Sequence, residues 1–112
     1  MPKTKLPKPN SENTISIPPS KKYPRHPVST YVWEAIRRLS EKEVIYFSAT
    51  GEATARVVDA AEVLKRKKSD LHVVFIGIGS EISEHEESTR YTTKMVIGIS
   101  EKDYKLVFKF LK

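Results

Sequence analysis

The chain contains no cysteine, which excludes disulfides and thiolate metal sites and suits a reducing compartment. Its 3 histidines, His26, His72 and His85, do not share the short spacing of a metal site. Glycine is sparse as well, and the pair Gly77-x-Gly79 is too short for a dinucleotide loop and precedes no helix. Ser80 follows Gly79 without the GxSxG frame of a nucleophile elbow. No apolar run approaches the ~20 residues of a membrane-spanning helix, and the first residues lack the apolar core of a signal peptide. The expectation is a soluble intracellular protein, nuclear or cytoplasmic, with no enzyme chemistry, cofactor or membrane implied.

What is present is positive charge in one place. The 112 residues carry a net charge of +6. Residues 1–28 hold Lys3, Lys5, Lys8, Lys21, Lys22 and Arg25 against Glu12 alone, while the remaining 14 basic and 13 acidic residues nearly cancel. Basic segments bind polyanions by counterion release, with little sequence preference. The alternative is a solubilising tail. Residues 1–12, rich in proline and lysine, read as disordered; residues 13–112 read as one domain with a modest core.

Within that domain, residues 13–17 alternate polar and apolar and predict a short edge strand, stopped by Pro18-Pro19. Pro27 suits a first helical position, and Val28, Val32, Ala35, Ile36 and Leu39 form one buried stripe. Trp33 and Arg37 lie off it and are spaced for a cation–π contact. Residues 43–50 predict a strand buried on both faces. Gly51 turns the chain into a second helix over 52–66, with Val57, Ala61 and Leu64 inward and Lys65-Arg66-Lys67-Lys68 at its end. Residues 71–78 predict an inner strand, 81–88 an acidic loop around His85, and 90–100 an alternating strand. Tyr104, Leu106, Phe108 and Phe110 predict a fifth, half-buried strand with lysines outward. The order β-α-β-α-β-β plus a terminal strand implies an α/β two-layer sandwich, with both helices on one sheet face.

At this point the residues resemble the Alba superfamily of small nucleic-acid-binding proteins. His26-Pro27-Val28-Ser29-Thr30-Tyr31-Val32 resembles its entry to the first helix, and Ala49-Thr50-Gly51-Glu52-Ala53 its glycine turn into the second. The eukaryotic branch that includes ribonuclease P and MRP subunits is more similar. Its pieces stand here in order as Gly51-Glu52-Ala53, Ala61-Glu62-Val63-Leu64-Lys65-Arg66, Leu71-His72, Ile78-Gly79-Ser80 and Ser88-Thr89-Arg90. The resemblance implies a non-catalytic protein that binds RNA, with DNA as the alternative, as a homodimer or as half of a heterodimer. Its departures concern charge. Arg25 and His26 stand where archaeal relatives have adjacent lysines, Glu52 replaces an arginine, and acidic residues 81–87 align with a basic arm.

The expected contact residues are Lys21, Lys22, Arg25 and His26 before the first helix, the Gly51 backbone, Arg56 one turn into the second helix, and Arg90. Backbone N–H groups at helix entrances can join lysines in holding phosphate. Arg56 has a competing use as a partner for Glu52, and the Lys65–Lys68 run as a complement to the helix dipole. Tyr23 and Trp33 are candidates for stacking on unpaired bases, against ordinary packing. An assembly adaptor built on residues 104–110 is the reading from outside nucleic-acid binding.

Overall fold

A computed structural model describes residues 5–18, 27–85 and 88–111; the side chains of residues 83–85 and of Arg90 lie outside that description. The elements are β1 (Thr14–Ser16), α1 (Val28–Leu39), β2 (Val44–Thr50), a 3-10 turn (Gly51–Ala53), α2 (Thr54–Lys67), β3 (His72–His85), β4 (Ser88–Ser100) and β5 (Val107–Leu111). One five-stranded sheet runs β1-β2-β4-β3-β5. β4 is antiparallel to β2 and β3, whereas β1 runs parallel to β2 and β5 parallel to β3.

The sandwich forms because the helical stripes match one sheet face. Val32, Ala35 and Leu39 of α1 and Val57, Ala60 and Leu64 of α2 are buried with Ile15, Ile45, Phe47, Ile97 and Ile99 of the sheet. Small residues on α2 let its backbone approach the strands. Pro27 stands one position before α1 rather than within it, and its carbonyl accepts the Thr30 N–H at 3.0 Å. On the opposite face Val44, Tyr46, Val74, Val96 and Tyr104 form a second buried cluster, joined by Leu6, Phe75 and Leu111. Tyr46 meets Phe75 edge to face at 5.7 Å and donates its hydroxyl to the Pro7 carbonyl at 2.6 Å. Burial raises the pKa of that phenol. Of the stretch expected as a tail, residues 5–12 thus include contacts to the sheet.

Two expectations about the strands are corrected. The acidic stretch is not simply a loop, since residues 81–85 continue β3 and pair with residues 88–92 of β4, extending the hairpin beyond the body of the sheet. The terminal strand starts at Val107, and its aromatic side faces out: Phe108 is 56% exposed and Phe110 73%. The reason is lateral position. α2 lies over β2 and β4, and α1 over β2. β5 sits at the far edge beyond β3, where Phe108 and Phe110 stand beside Ile76 and Ile78. Gly79 permits this pairing, because a Cβ there would collide with the Leu111 carbonyl oxygen.

A polar network fastens α1 to β1. Arg38 donates through Nη1 to the carbonyls of Thr14 at 3.1 Å and Glu12 at 3.2 Å. Glu34 accepts from Arg38 Nε at 2.9 Å and from Arg37. Arg37 is therefore turned to Glu34, and the expected Trp33–Arg37 contact is replaced by Lys67 over the Trp33 ring.

The hydrogen bonds from Arg37, then Arg38, hold the Glu34 carboxyl at about 2, below its ordinary 4.5. A depressed carboxylate contributes stability above its unfolded pKa, which is lost as pH falls through its folded one. Stability should therefore decline between pH 4.5 and about 2 through this group. Glu34→Gln should lower stability at neutral pH and flatten that part of the curve, as read from urea unfolding across the window. An unchanged acid limb would show that Glu34 carries none of it.

Candidate nucleic-acid interface

β2 must leave the sheet and enter α2 within three residues, and Gly51 makes this possible. Its φ of 60° is the single positive value among the described residues, a conformation that costs a Cβ-bearing residue ~1–2 kcal/mol. The Thr54 hydroxyl donates to the Gly51 carbonyl at 2.9 Å, and Ala53 plugs the turn into the core. The exposed Glu52 lies in this first turn, where a carboxylate suits the helix dipole. The same charge opposes phosphate at the turn.

Arg56 has a different partner from the expected Glu52. Its guanidinium donates to the Pro18 carbonyl and lies 5.7 Å from the centre of the Tyr31 ring. One side chain thus joins the first turn of α2, the first half of α1 and the end of the segment after β1. Lys21, Lys22, Arg25 and His26 lie outside the described residues, but the segment that carries them leaves at Pro18 and re-enters at Pro27. Its first anchor is held by Arg56, and its second opens the helix that Arg56 touches through Tyr31.

Arg90 is not brought to this place. Its backbone pairs with Ser83 on the extended hairpin, whereas Lys94, further back along β4, is the residue opposite Thr50. At ~3.3 Å per residue the two are separated by roughly 13 Å. Lys94 was missed in the sequence, although the alternation that directs Met95 to the helix side directs its neighbour to the other. There it lines a groove of about 490 Å³ with Ser16, Pro18, Ser48, Thr50 and Glu81. Its ammonium is 3.5 Å from Glu81, which offsets its charge.

The basic end of α2 divides in its uses. Lys65 donates to the carbonyls of Ser69, at 3.3 Å, and Leu71, so it closes the helix terminus. Lys68 pairs with Glu101 at 3.1 Å and Asp70 at 3.7 Å, and Glu101 is the main cause of its raised pKa. Lys67 takes the Trp33 ring.

The Alba family model matches residues 24–75, the span from the entrance of α1 into β3. Among solved structures, Alba from Thermoplasma volcanium superposes with a TM-score of 0.66 at 21% identity, covering 79% of this chain and 99% of that one. ALBA1 from Trypanosoma brucei gives 0.59 at 18% identity, with 84% and 74% covered. No curated protein matches the sequence. The chain therefore has the Alba fold, and the resemblance to the Alba superfamily is borne out over residues 24–75.

Gly51→Ala should destabilise the protein by ~1–2 kcal/mol, and Gly51→Asn by less, because asparagine tolerates the left-handed region. Space is not the obstacle, as the nearest atom to an added Cβ is Thr92 Cγ2 at 3.5 Å. Equal urea midpoints for wild type and Gly51→Ala would show that the turn relaxes to negative φ.

Proposed function

We propose, from the Alba fold as premise, that this chain is a non-catalytic RNA-binding protein that grips structured RNA through phosphate contacts. The observation that carries the reading is the contact between Arg56 and Tyr31, which sets the first turns of α1 and α2 side by side. Helix entrances concentrate partial positive charge and unpaired N–H groups. The basic segment containing Lys21, Lys22, Arg25 and His26 runs between anchors at this junction. RNA is favoured over duplex DNA because the extended hairpin arm carries four glutamates in residues 81–87, and carboxylates repel the phosphates lining a DNA groove. Within the cell, nuclear or cytoplasmic, the role is that of a subunit of a ribonucleoprotein, with ribonuclease P or MRP the assembly that the motifs favour.

Dimerisation belongs to the same proposal. Ile82 and Tyr91 are cross-strand partners on the hairpin, Phe108 and Phe110 continue the helix side of the sheet, and Val58 lies on α2; all five are exposed. A scattered exposed leucine means little, but several large apolar side chains on one face mark an interaction surface. A second Alba-type chain, identical or related, would cover them.

Filter binding to a stem-loop RNA tests the first part. Replacing Lys21, Lys22 and Arg25 together by glutamine should weaken binding by roughly 10-fold or more and flatten the salt dependence by ~2 in log–log slope. Tighter binding to duplex DNA than to RNA would reverse the assignment. For the second part, Phe108→Ser with Phe110→Ser should shift the sedimentation of the full chain toward monomer. Unchanged sedimentation of the variant relative to wild type would remove β5 from the seam.

A further inference from the structure

Trp33 is the only tryptophan in the chain, and it is 59% exposed on the outer side of α1. Tryptophan is large and mostly apolar, so a surface position of this kind leaves a broad flat face in water. Lys67, from the last turn of α2, holds its ammonium 4.9 Å from the ring centre. The neighbouring cations have other work. Arg37 and Arg38 are held by Glu34, Lys65 closes the helix end, and Lys68 pairs with Glu101. Lys67 and Arg66 are both exposed, and neither enters an ion pair among the described residues.

We infer that Trp33, with Lys67 and Arg66, forms a second RNA-contact site that takes one unpaired base. This rests on the RNA-binding reading above and adds to it a structural class of RNA: a stem interrupted by a bulge or loop. The α2 C-terminus presents carbonyl oxygens, which disfavour a bound anion at the centre of the site. A base carries no charge and has a π-face that stacks on indole. Such stacking is stronger than an exposed contact between an ammonium and an aromatic ring. The base therefore replaces Lys67 over the ring, and the displaced ammonium, with the Arg66 guanidinium, meets the phosphates flanking that nucleotide. Arg56, by contrast, is turned inward to Pro18 and Tyr31, so α1 offers its two aromatic residues to different ends of α2. If Trp33 served only as a packing surface for the Lys67 stem, its loss would change stability and leave RNA affinity alone.

The test uses the full chain and two hairpin RNAs of equal length, one fully paired in its stem and one carrying a bulged adenine. Anisotropy of end-labelled RNA measures binding, and emission of the single tryptophan reports stacking at this residue directly. The bulged hairpin should quench Trp33 and bind more tightly than the paired one. Trp33→Ala should remove that preference, an effect of about 10-fold, while Trp33→Tyr retains most of it and Lys67→Gln weakens both RNAs. Thermal melts of the variants verify that they are folded. Binding of both RNAs with unchanged tryptophan emission overturns this inference and leaves the RNA-binding reading standing. A Trp33→Ala variant that melts lower yet keeps its preference for the bulge overturns it equally. Failure of either RNA to bind overturns both.

Discussion

β2 is the constraint from which the rest of the fold follows. Val44, Ile45, Tyr46 and Phe47 are consecutive, so they point alternately to both faces of the sheet, and all four are buried. Two helices close only one face. The other is closed without a helix, and Leu6, Tyr104 and Leu111 do so from before the first strand and from the segment after β4. The two ends of the sequence are thereby committed to the middle of the sheet. The strand so clamped ends at Thr50, which fixes where Gly51 turns and where α2 begins.

Charge is used sparingly around this frame. Many cations that look available in the sequence have structural duties: Arg38 reaches the β1 carbonyls, Arg56 the Pro18 carbonyl, Lys65 the end of α2, and Lys94 faces Glu81. A +6 protein therefore presents a smaller cationic surface than its composition suggests. In the proposed reading, phosphate contact falls to the basic residues of the sequence between Pro18 and Pro27, and base stacking to an exposed indole with its lysine at the end of α2.

Periodicity made most of the fold legible. The α1 stripe through Val32, Ala35 and Leu39, the doubly buried run in β2 and the Gly51 turn are local patterns with one physical solution each, and the structure realises them. Position across the sheet is not local. The alternation of residues 104–110 correctly marked a strand but assigned its faces as though a helix lay above it. Beside β3 the aromatic side has no such cover. Long side chains were likewise hard to read, because i, i+4 spacing makes Glu52 a natural partner for Arg56 and Arg37 one for Trp33, whereas the contacts in the fold run to Pro18, Tyr31, Glu34 and Lys67. Lys94 was hidden by an ordinary alternating strand.

The parallel pairing of β5 on β3 bears on aggregation. β3 carries the run Val73-Val74-Phe75-Ile76-Gly77-Ile78, and as an outermost strand it would offer other chains a long, apolar row of unpaired backbone groups. β5 takes up that row with five residues and becomes the outermost strand in its place, bringing Lys109 to the edge and Lys105 just before it. A short border with a lysine in it is a poor template for further strand addition. The last strand thus covers the exposed edge of an apolar, β-prone run, and the glycine at position 79 is what lets it come close enough.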